Sequence, residues 1–249
     1  MPRAFVHLGT QKTGTTTFQT WAATNREEIK RATGLRYYSS VFLPGLHNRP
    51  HIEFALLSIR PDRSLPARDV MAAREARGIA SVVTRSNLLE RTIAHLEQEL
   101  DGEDLLISCE GLSLIRHPDE VERLRELLAG YDLEFVVTRR DPAAFLRSYR
   151  QWMVNSSFDA SSDPLSCFYI EPDTWLLDLD ALDPLFPGLR WVDYEDAMST
   201  YGSVTPALFV AMGFPIDDLP DWKVPELNRA EGSTLRTSRL RRLVRRVLR

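Results

Sequence analysis

Lysine is almost missing from this sequence. Lys12, Lys30 and Lys223 are the only three, against 28 arginines. Cysteine is as scarce, with Cys109 and Cys167 alone. Two cysteines exclude a disulfide framework and a paired zinc-ligand spacing. Cys109 lies in an apolar run and reads as a core residue, and the picture fits a reducing cytosol. No apolar stretch approaches the length of a membrane span, and the first residues carry no signal-peptide pattern, so a cytoplasmic protein is expected. There is no internal repeat and no low-complexity segment. Five Trp and fifteen Pro argue against disorder. A chain of 249 residues can bury an ordinary α/β core without staples.

The net charge of −4 hides an asymmetry. Residues 229–249 hold eight Arg and one Glu, a net +7, so the other 228 residues carry −11. An acidic body excludes a general nucleic-acid binder. In the tail, Leu240, Leu243, Val244, Val247 and Leu248 fall at helical spacing among arginines, a basic amphipathic helix. Two readings are open for it: packing on the acidic body, or peripheral contact of residues 235–249 with the inner face of a membrane.

Short apolar runs alternate with helical patterns. Buried strands are expected at Ala4–Leu8, Asp104–Ser108, Leu133–Thr138 and Leu189–Val192. Helices are expected over Thr15–Ala32, mostly over Arg68–Leu100 with Leu88, Leu89, Ile93, Leu96 and Leu100 on one side, and over Pro118–Ala129, Asp141–Met153 and Ser203–Met212. Residues 34–66 read as irregular, with one helical patch near His51–Ile59, and 156–173 as a loop. This alternation predicts an α/β fold: a single P-loop-like domain over 1–230, with a mostly parallel sheet and helices on both faces, followed by the basic helix over 231–249.

What is present is a loop. Between the first strand and first helix the chain reads Gly9-Thr10-Gln11-Lys12-Thr13-Gly14-Thr15-Thr16. An ATP-type loop needs G-x-x-x-x-G-K-S/T. The glycines are correctly spaced, but Thr15 takes the lysine position and the lysine has moved inside, to Lys12. Backbone N–H groups of a Gly-rich turn and a helix N-terminus form an anion site, and Lys12, Thr13, Thr15, Thr16 and Thr17 add a charge and hydroxyl donors. In a chain that prefers Arg, the compact charge of a lysine there suits a single moving oxygen. A second piece is Val136-Val137-Thr138-Arg139-Arg140-Asp141-Pro142, followed by Ser148-Tyr149. Arg140 ends a strand and Ser148 lies about two helical turns further on. An Arg and a hydroxyl at the carboxyl end of a strand suit a phosphate monoester.

Together these pieces resemble the sulfotransferases that use 3′-phosphoadenylyl sulfate (PAPS). Lys12-Thr13-Gly14-Thr15-Thr16-Thr17 matches their 5′-phosphosulfate loop, K-x-G-S/T-x. Arg140-Asp141-Pro142 with Ser148-Tyr149 matches their 3′-phosphate signature, and Val192-Asp193-Tyr194-Glu195-Asp196 is similar to their strand ending in Y-E-D. The form H-x-G-x-x-K-T-G-T-T-x-x-Q looks most like bacterial members. The resemblance implies PAPS as donor, the bisphosphate PAP as product, and no metal. It implies that Lys12 stabilises the leaving phosphate and that Arg140 and Ser148 read the 3′-phosphate; Tyr194 and Phe18 are candidates for contact with adenine, as is Trp21, for which core packing is the favoured reading. One departure stands out: the R-K-G-x-x-G-D-W-K closing loop of many cytosolic members has no counterpart, and Asn228–Ser233 occupies a comparable position without matching.

The general base has three candidates. Glu110 follows a buried strand onto the same rim as Lys12, and bacterial members carry a similar S-x-E. His47 and His51 lie in an irregular stretch of the kind that gathers substrate residues. His7, on the first strand, reads as a satisfied core residue. The resemblance implies a hydroxyl-bearing acceptor, a carbohydrate or glycoconjugate, with a small secondary metabolite as the alternative. A P-loop kinase or NTPase is the rival activity, opposed by Thr15 at the lysine position; a non-catalytic nucleotide-binding or membrane-adaptor protein is a third reading.

Overall fold

A computed structural model describes residues 1–41, 51–76, 83–84, 86–99, 102–156 and 158–221. His47, Leu100, Asn228–Ser233 and the Arg-rich tail lie outside the described residues. The order is β1 (Arg3–His7), α1 (Thr15–Thr24), α2 (Arg26–Thr33), β2 (Arg36–Tyr37), α3 (Ile52–Ser58), α4 (Pro66–Ala76), α5 (Leu88–Glu99), β3 (Leu105–Ser108), α6 (Pro118–Leu127), β4 (Asp132–Arg139), α7 (Pro142–Ser156), β5 (Arg190–Asp193), α8 (Tyr194–Tyr201) and α9 (Val204–Ala211). The strands form one sheet in the order β2-β3-β1-β4-β5, and every pairing is parallel.

Alternation along each strand divides the core in two. Ala4, Val6, Ile107, Phe135 and Val137 face one side, where they pack with residues of α3, α6 and α7. Phe5, Leu106, Val136 and Val192 face the other, against α1, α2, α8 and α9. A sheet covered on both faces needs apolar residues in both phases, which is why these strands read as continuous apolar runs.

Five differences from the sequence reading have local causes. First, β2 lies in a stretch expected to be irregular; it has two residues and pairs with Leu105 and Leu106 through backbone. Second, the expected Thr15–Ala32 helix breaks at Asn25, whose amide donates to the Trp21 carbonyl (2.8 Å). Third, the expected helix over 68–100 is two, Pro66–Ala76 and Leu88–Glu99, and ahead of the second Asn87 Oδ1 accepts from Thr84 N (2.8 Å). Fourth, α5 buries Leu88, Thr92 and Leu96 while Leu89 (51 % exposed) and Ile93 (41 %) face outward; Thr92 can be buried because its hydroxyl donates to the Leu88 carbonyl (2.8 Å). Fifth, the last strand stops at Asp193, and Tyr194-Glu195-Asp196 opens α8, with Asp193 capping the Asp196 N–H (3.1 Å). The start of α7 is as expected: Asp141 Oδ1 accepts from Ala144 N (2.7 Å) with Pro142 in the first turn.

After β1 the chain leaves toward β2, and after β4 it leaves toward β5. The carboxyl ends of β1 and β4 therefore flank the crevice where connections diverge, the place where open α/β sheets bind ligands. Among the described residues no helix is long and apolar enough to cross a membrane.

Candidate active site at the rim of the sheet

The loop after β1 is held by its own side chains. Thr13 Oγ1 donates to the Thr10 carbonyl (2.6 Å), and Thr15 Oγ1 approaches the same oxygen at 3.2 Å. Thr10 Oγ1 donates to the Thr138 carbonyl on β4 (2.5 Å). Two backbone positions are left-handed, Lys12 (φ 66°) and Gly14 (φ 77°). A Cβ at Gly9 would stand 3.0 Å from Thr15 Cγ2 and 3.1 Å from the His7 ring, so any larger residue there would have to push these side chains aside by a few tenths of an ångström. Gly14 is the N-cap of α1 and offers no capping side chain, which leaves the first N–H groups of α1 to an external anion. The Thr13 and Thr15 side chains are buried, with their hydroxyls turned to the Thr10 carbonyl, while Thr16 is exposed and Thr17 half-buried.

Lys12 and Glu110 lie close enough on this rim for each charge to act on the other. Glu110 lies two residues after the end of β3 at Ser108, and opens the short turn Glu110–Leu114. Burial pushes its carboxyl up to about 7, against the opposing pull of Lys12 and the Thr15 hydroxyl. Burial lowers the Lys12 ammonium, Glu110 raises it and Arg140 lowers it again. Lys12, Glu110 and Arg140 are thus electrostatic neighbours, brought together from the ends of β1, β3 and β4.

Arg140 Nη1 donates to the Lys12 carbonyl (2.6 Å), which pins the left-handed turn. Its guanidinium lies over the Tyr194 ring at 4.5 Å, and its Nε stands 3.6 Å from Glu195 Oε1. Nε is buried and makes no hydrogen bond. Arg140 also lines a cavity of about 180 Å³ between β4, the start of α7 and Trp191, whose walls include Thr10, Phe145, Leu177 and Asp180 but not Lys12, Glu110 or Ser148. Ser148 is half-buried on α7, and among the described residues no hydrogen bond joins it to Arg140.

The histidines and two aromatics belong to the core. His51 is 1 % exposed, its Nδ1 accepts from Ser108 N (3.0 Å), and its ring lies between Tyr37 and Tyr38. Burial lowers its imidazole to about 3. A base must meet the proton it removes, so this enclosed ring is a structural group, correcting its candidacy. His7 is likewise buried, as expected, with Nδ1 3.0 Å from Ser108 Oγ and Nε2 3.3 Å from Thr138 Oγ1. Phe18 and Trp21 are fully buried, and Trp21 Nε1 donates to the Asp221 carbonyl (3.0 Å), so neither is free to meet a base; Tyr194 is half-buried beneath Arg140. Sequence reasoning missed Glu195 as the partner of Arg140. Gln19, the last residue of the H-x-G-x-x-K-T-G-T-T-x-x-Q form, is buried on α1 and donates to the Ser108 carbonyl (3.2 Å), a contact the sequence did not reveal.

No protein-family model and no curated protein matches the sequence. Solved structures do resemble the fold. A sulfotransferase from Alicyclobacillus acidocaldarius aligns with a TM-score of 0.54 at 14 % identity, over 90 % of this chain and 86 % of that one. The sulfotransferase domain from the curacin biosynthetic pathway aligns at 0.48 and 14 %, over 94 % and 81 %. A gluconokinase from Sinorhizobium meliloti 1021 aligns at 0.39 and 16 %, over 85 % and 92 %. The last two scores are too low to weigh, and identity at this level speaks for architecture only. The chain thus has the α/β fold of a solved sulfotransferase, with a P-loop-like turn at the head of its first helix.

Proposed function

We propose that this protein is a sulfotransferase that uses PAPS and modifies a hydroxyl of a carbohydrate or glycoconjugate. The observation that carries the reading is the pairing of a cation inside the anion loop, Lys12, with a carboxyl raised to about 7, Glu110, on one rim. The residues present fit such a donor: a helix N-terminus without a capping side chain, a lysine within the loop, and an Arg140 that lines a cavity and whose Nε is buried without a hydrogen bond. The loop N–H groups and Thr16 would hold the 5′ end, and Arg140, with Ser148, the 3′-phosphate.

When bound, PAPS supplies a sulfuryl group for transfer to an oxygen nucleophile. The protein's part is positioning and proton handling. Glu110, half ionised near neutral pH, takes the hydroxyl proton at a carboxylate oxygen; a base is most effective when its pKa lies near the working pH. Lys12 presents a desolvated ammonium to the oxygen on which negative charge develops, where a charge in a water-poor site acts most strongly. Arg140 holds the Lys12 carbonyl, so anion binding at Arg140 and the placement of Lys12 are linked through one hydrogen bond.

Calorimetry without metal tests the reading. PAP should bind tightly, and ATP with Mg²⁺ feebly. Arg140→Ala should weaken PAP by about tenfold or more and 5′-AMP by clearly less, the first through the lost charge-assisted contact and the second only through the loosened Lys12 turn. Tight magnesium-dependent ATP binding with weak PAP binding would return the loop to the kinase class.

A further inference from the structure

Ser108 ends β3 two residues before Glu110, and each of its polar atoms is held from outside the strand. Its N–H donates to His51 Nδ1 (3.0 Å), and its carbonyl accepts from His51 N (3.1 Å) and Gln19 Nε2 (3.2 Å). Its hydroxyl stands 3.0 Å from His7 Nδ1 and 3.3 Å from Gln19 Nε2. All four residues are buried. Two of them bracket the anion loop: His7 is the last residue of β1, and Gln19 lies in the second turn of α1. His7 Nε2 extends the chain of contacts to Thr138 Oγ1 on β4 (3.3 Å). The strand end that delivers Glu110 is thereby fastened to both ends of the loop that carries Lys12.

Apolar packing would fill this space, but it would not fix the rotation of a strand end. Hydrogen bonds do, because they are directional, and a satisfied buried network is rigid. We propose that His7, Gln19 and Ser108 are positioning residues that set where Glu110 stands relative to Lys12. The proposal rests on the reading of Glu110 and Lys12 given above. The groups that face Glu110 are Lys12 from the loop, Thr15 from α1 and Tyr149 from α7.

The test is a carbon NMR titration of the Glu110 carboxyl in the full chain, assigned by its loss in Glu110→Gln. Gln19→Met and Ser108→Ala should each move the midpoint by about half a unit or more from the native value, a shift set by its distance from Lys12 and from solvent. Ser108→Thr, which keeps the hydroxyl, should restore it. Leu124→Ala, in the opposite core, serves as a control for mere loss of stability. An unchanged midpoint in Gln19→Met and Ser108→Ala overturns the proposal, as does an equal shift in Leu124→Ala. In turnover, Gln19→Met should lower kcat in the native background and change nothing in Glu110→Gln, with PAP affinity constant; an equal fall in both backgrounds also overturns it. The titration decides the clamp whether or not PAP binds, so its failure and that of the functional reading are separable.

Discussion

Two glutamates ten residues apart, Glu120 buried and Glu110 half-buried, behave in opposite ways. Glu120, in the first turn of α6, is fully buried, and burial alone would raise it. Yet its carboxyl is held below its ordinary value by the N–H groups of Arg116 (2.9 Å) and Arg60 (3.0 Å) and by Arg63 Nη1 (2.9 and 2.7 Å). Arg63 and Arg116 also lie over the Trp175 ring, at 5.3 and 5.0 Å. Glu110 faces one desolvated lysine and one threonine hydroxyl, and it rises to about 7. What separates them is a charged donor: the Arg63 guanidinium, with two backbone N–H groups, holds Glu120 as a permanent anion that ties the α3–α4 turn to α6, whereas Lys12 and the Thr15 hydroxyl leave Glu110 able to exchange a proton.

The same substitution should separate them. Glu110→Gln is expected to reduce turnover by about a hundredfold to ten-thousandfold, the range for a lost acid–base group. Near pH 5, where the native carboxyl is still neutral, its effect on folding should be small. Glu120→Gln should do the reverse, destabilising the fold by about 3 kcal/mol or somewhat less, since Arg63 would keep a charge with a poorer partner. Urea denaturation and turnover per folded molecule read the two arms. Equal stability losses would break the contrast between a structural and a poised carboxylate.

Much of this contrast was visible before the structure. The strand ends that deliver Lys12, Glu110 and Arg140 follow continuous apolar runs, and a fully buried strand has little other way to appear in sequence. The Gly9 and Gly14 spacing marked the turn because a side chain would be crowded at the first and strained at the second. What stayed hidden depends on where side chains point. Thr13 and Thr15 read as ligand donors but turn inward to the Thr10 carbonyl. Leu89 and Ile93 read as core but lie outward, because the polar Thr92 occupies the buried side of α5. β2 has only two residues and no side-chain periodicity, and its pairing rests on backbone alone. His51 stood in an irregular stretch, where nothing local shows whether an imidazole faces a cleft or a core.

Stability as a function of pH sharpens the comparison. Glu110 and Glu53 are both raised to about 7 by burial; Glu53 has Val41 N (3.0 Å) and Ser40 Oγ (3.1 Å) as donors. The native state keeps these protons where the unfolded chain has released them, so this contribution falls as pH rises from about 4.5 to 7. His7 and His51, lowered to about 3, act oppositely: their contribution is lost as pH falls below about 6.5, where the unfolded chain takes up protons first. The two trends oppose one another between about pH 4.5 and 6.5, so the wild-type profile is blunt there. Differences from variants are not. Relative to wild type, Glu53→Gln or Glu110→Gln should gain on the order of 2 kcal/mol between about pH 4.5 and 8. The deficit of Glu120→Gln should instead shrink as pH falls through the depressed pKa of the native carboxyl. A Glu110→Gln difference that is flat with pH would remove the distinction.

The smallest effect concerns the backbone at Lys12, the one non-glycine residue with positive φ among those described. A side chain in this conformation costs about 1 kcal/mol or more. Glycine would remove that strain, and Arg140 would still hold the carbonyl. Lys12→Gly should therefore be more stable than Lys12→Ala by about 1 kcal/mol. Both should lose turnover equally, and in both the Glu110 midpoint should climb, because the cation that opposes its rise is gone. The two variants differ only in backbone freedom, so any gap in stability measures strain and any shared loss of activity measures charge. Equal stabilities would mean that the turn carries no strain at Lys12. The Glu120 cluster involves no such residue: its arginines and carboxylates sit in ordinary backbone and hold each other in place. A strained lysine where glycine is the easier choice is what a loop shaped by its ligand, rather than by its own stability, should contain.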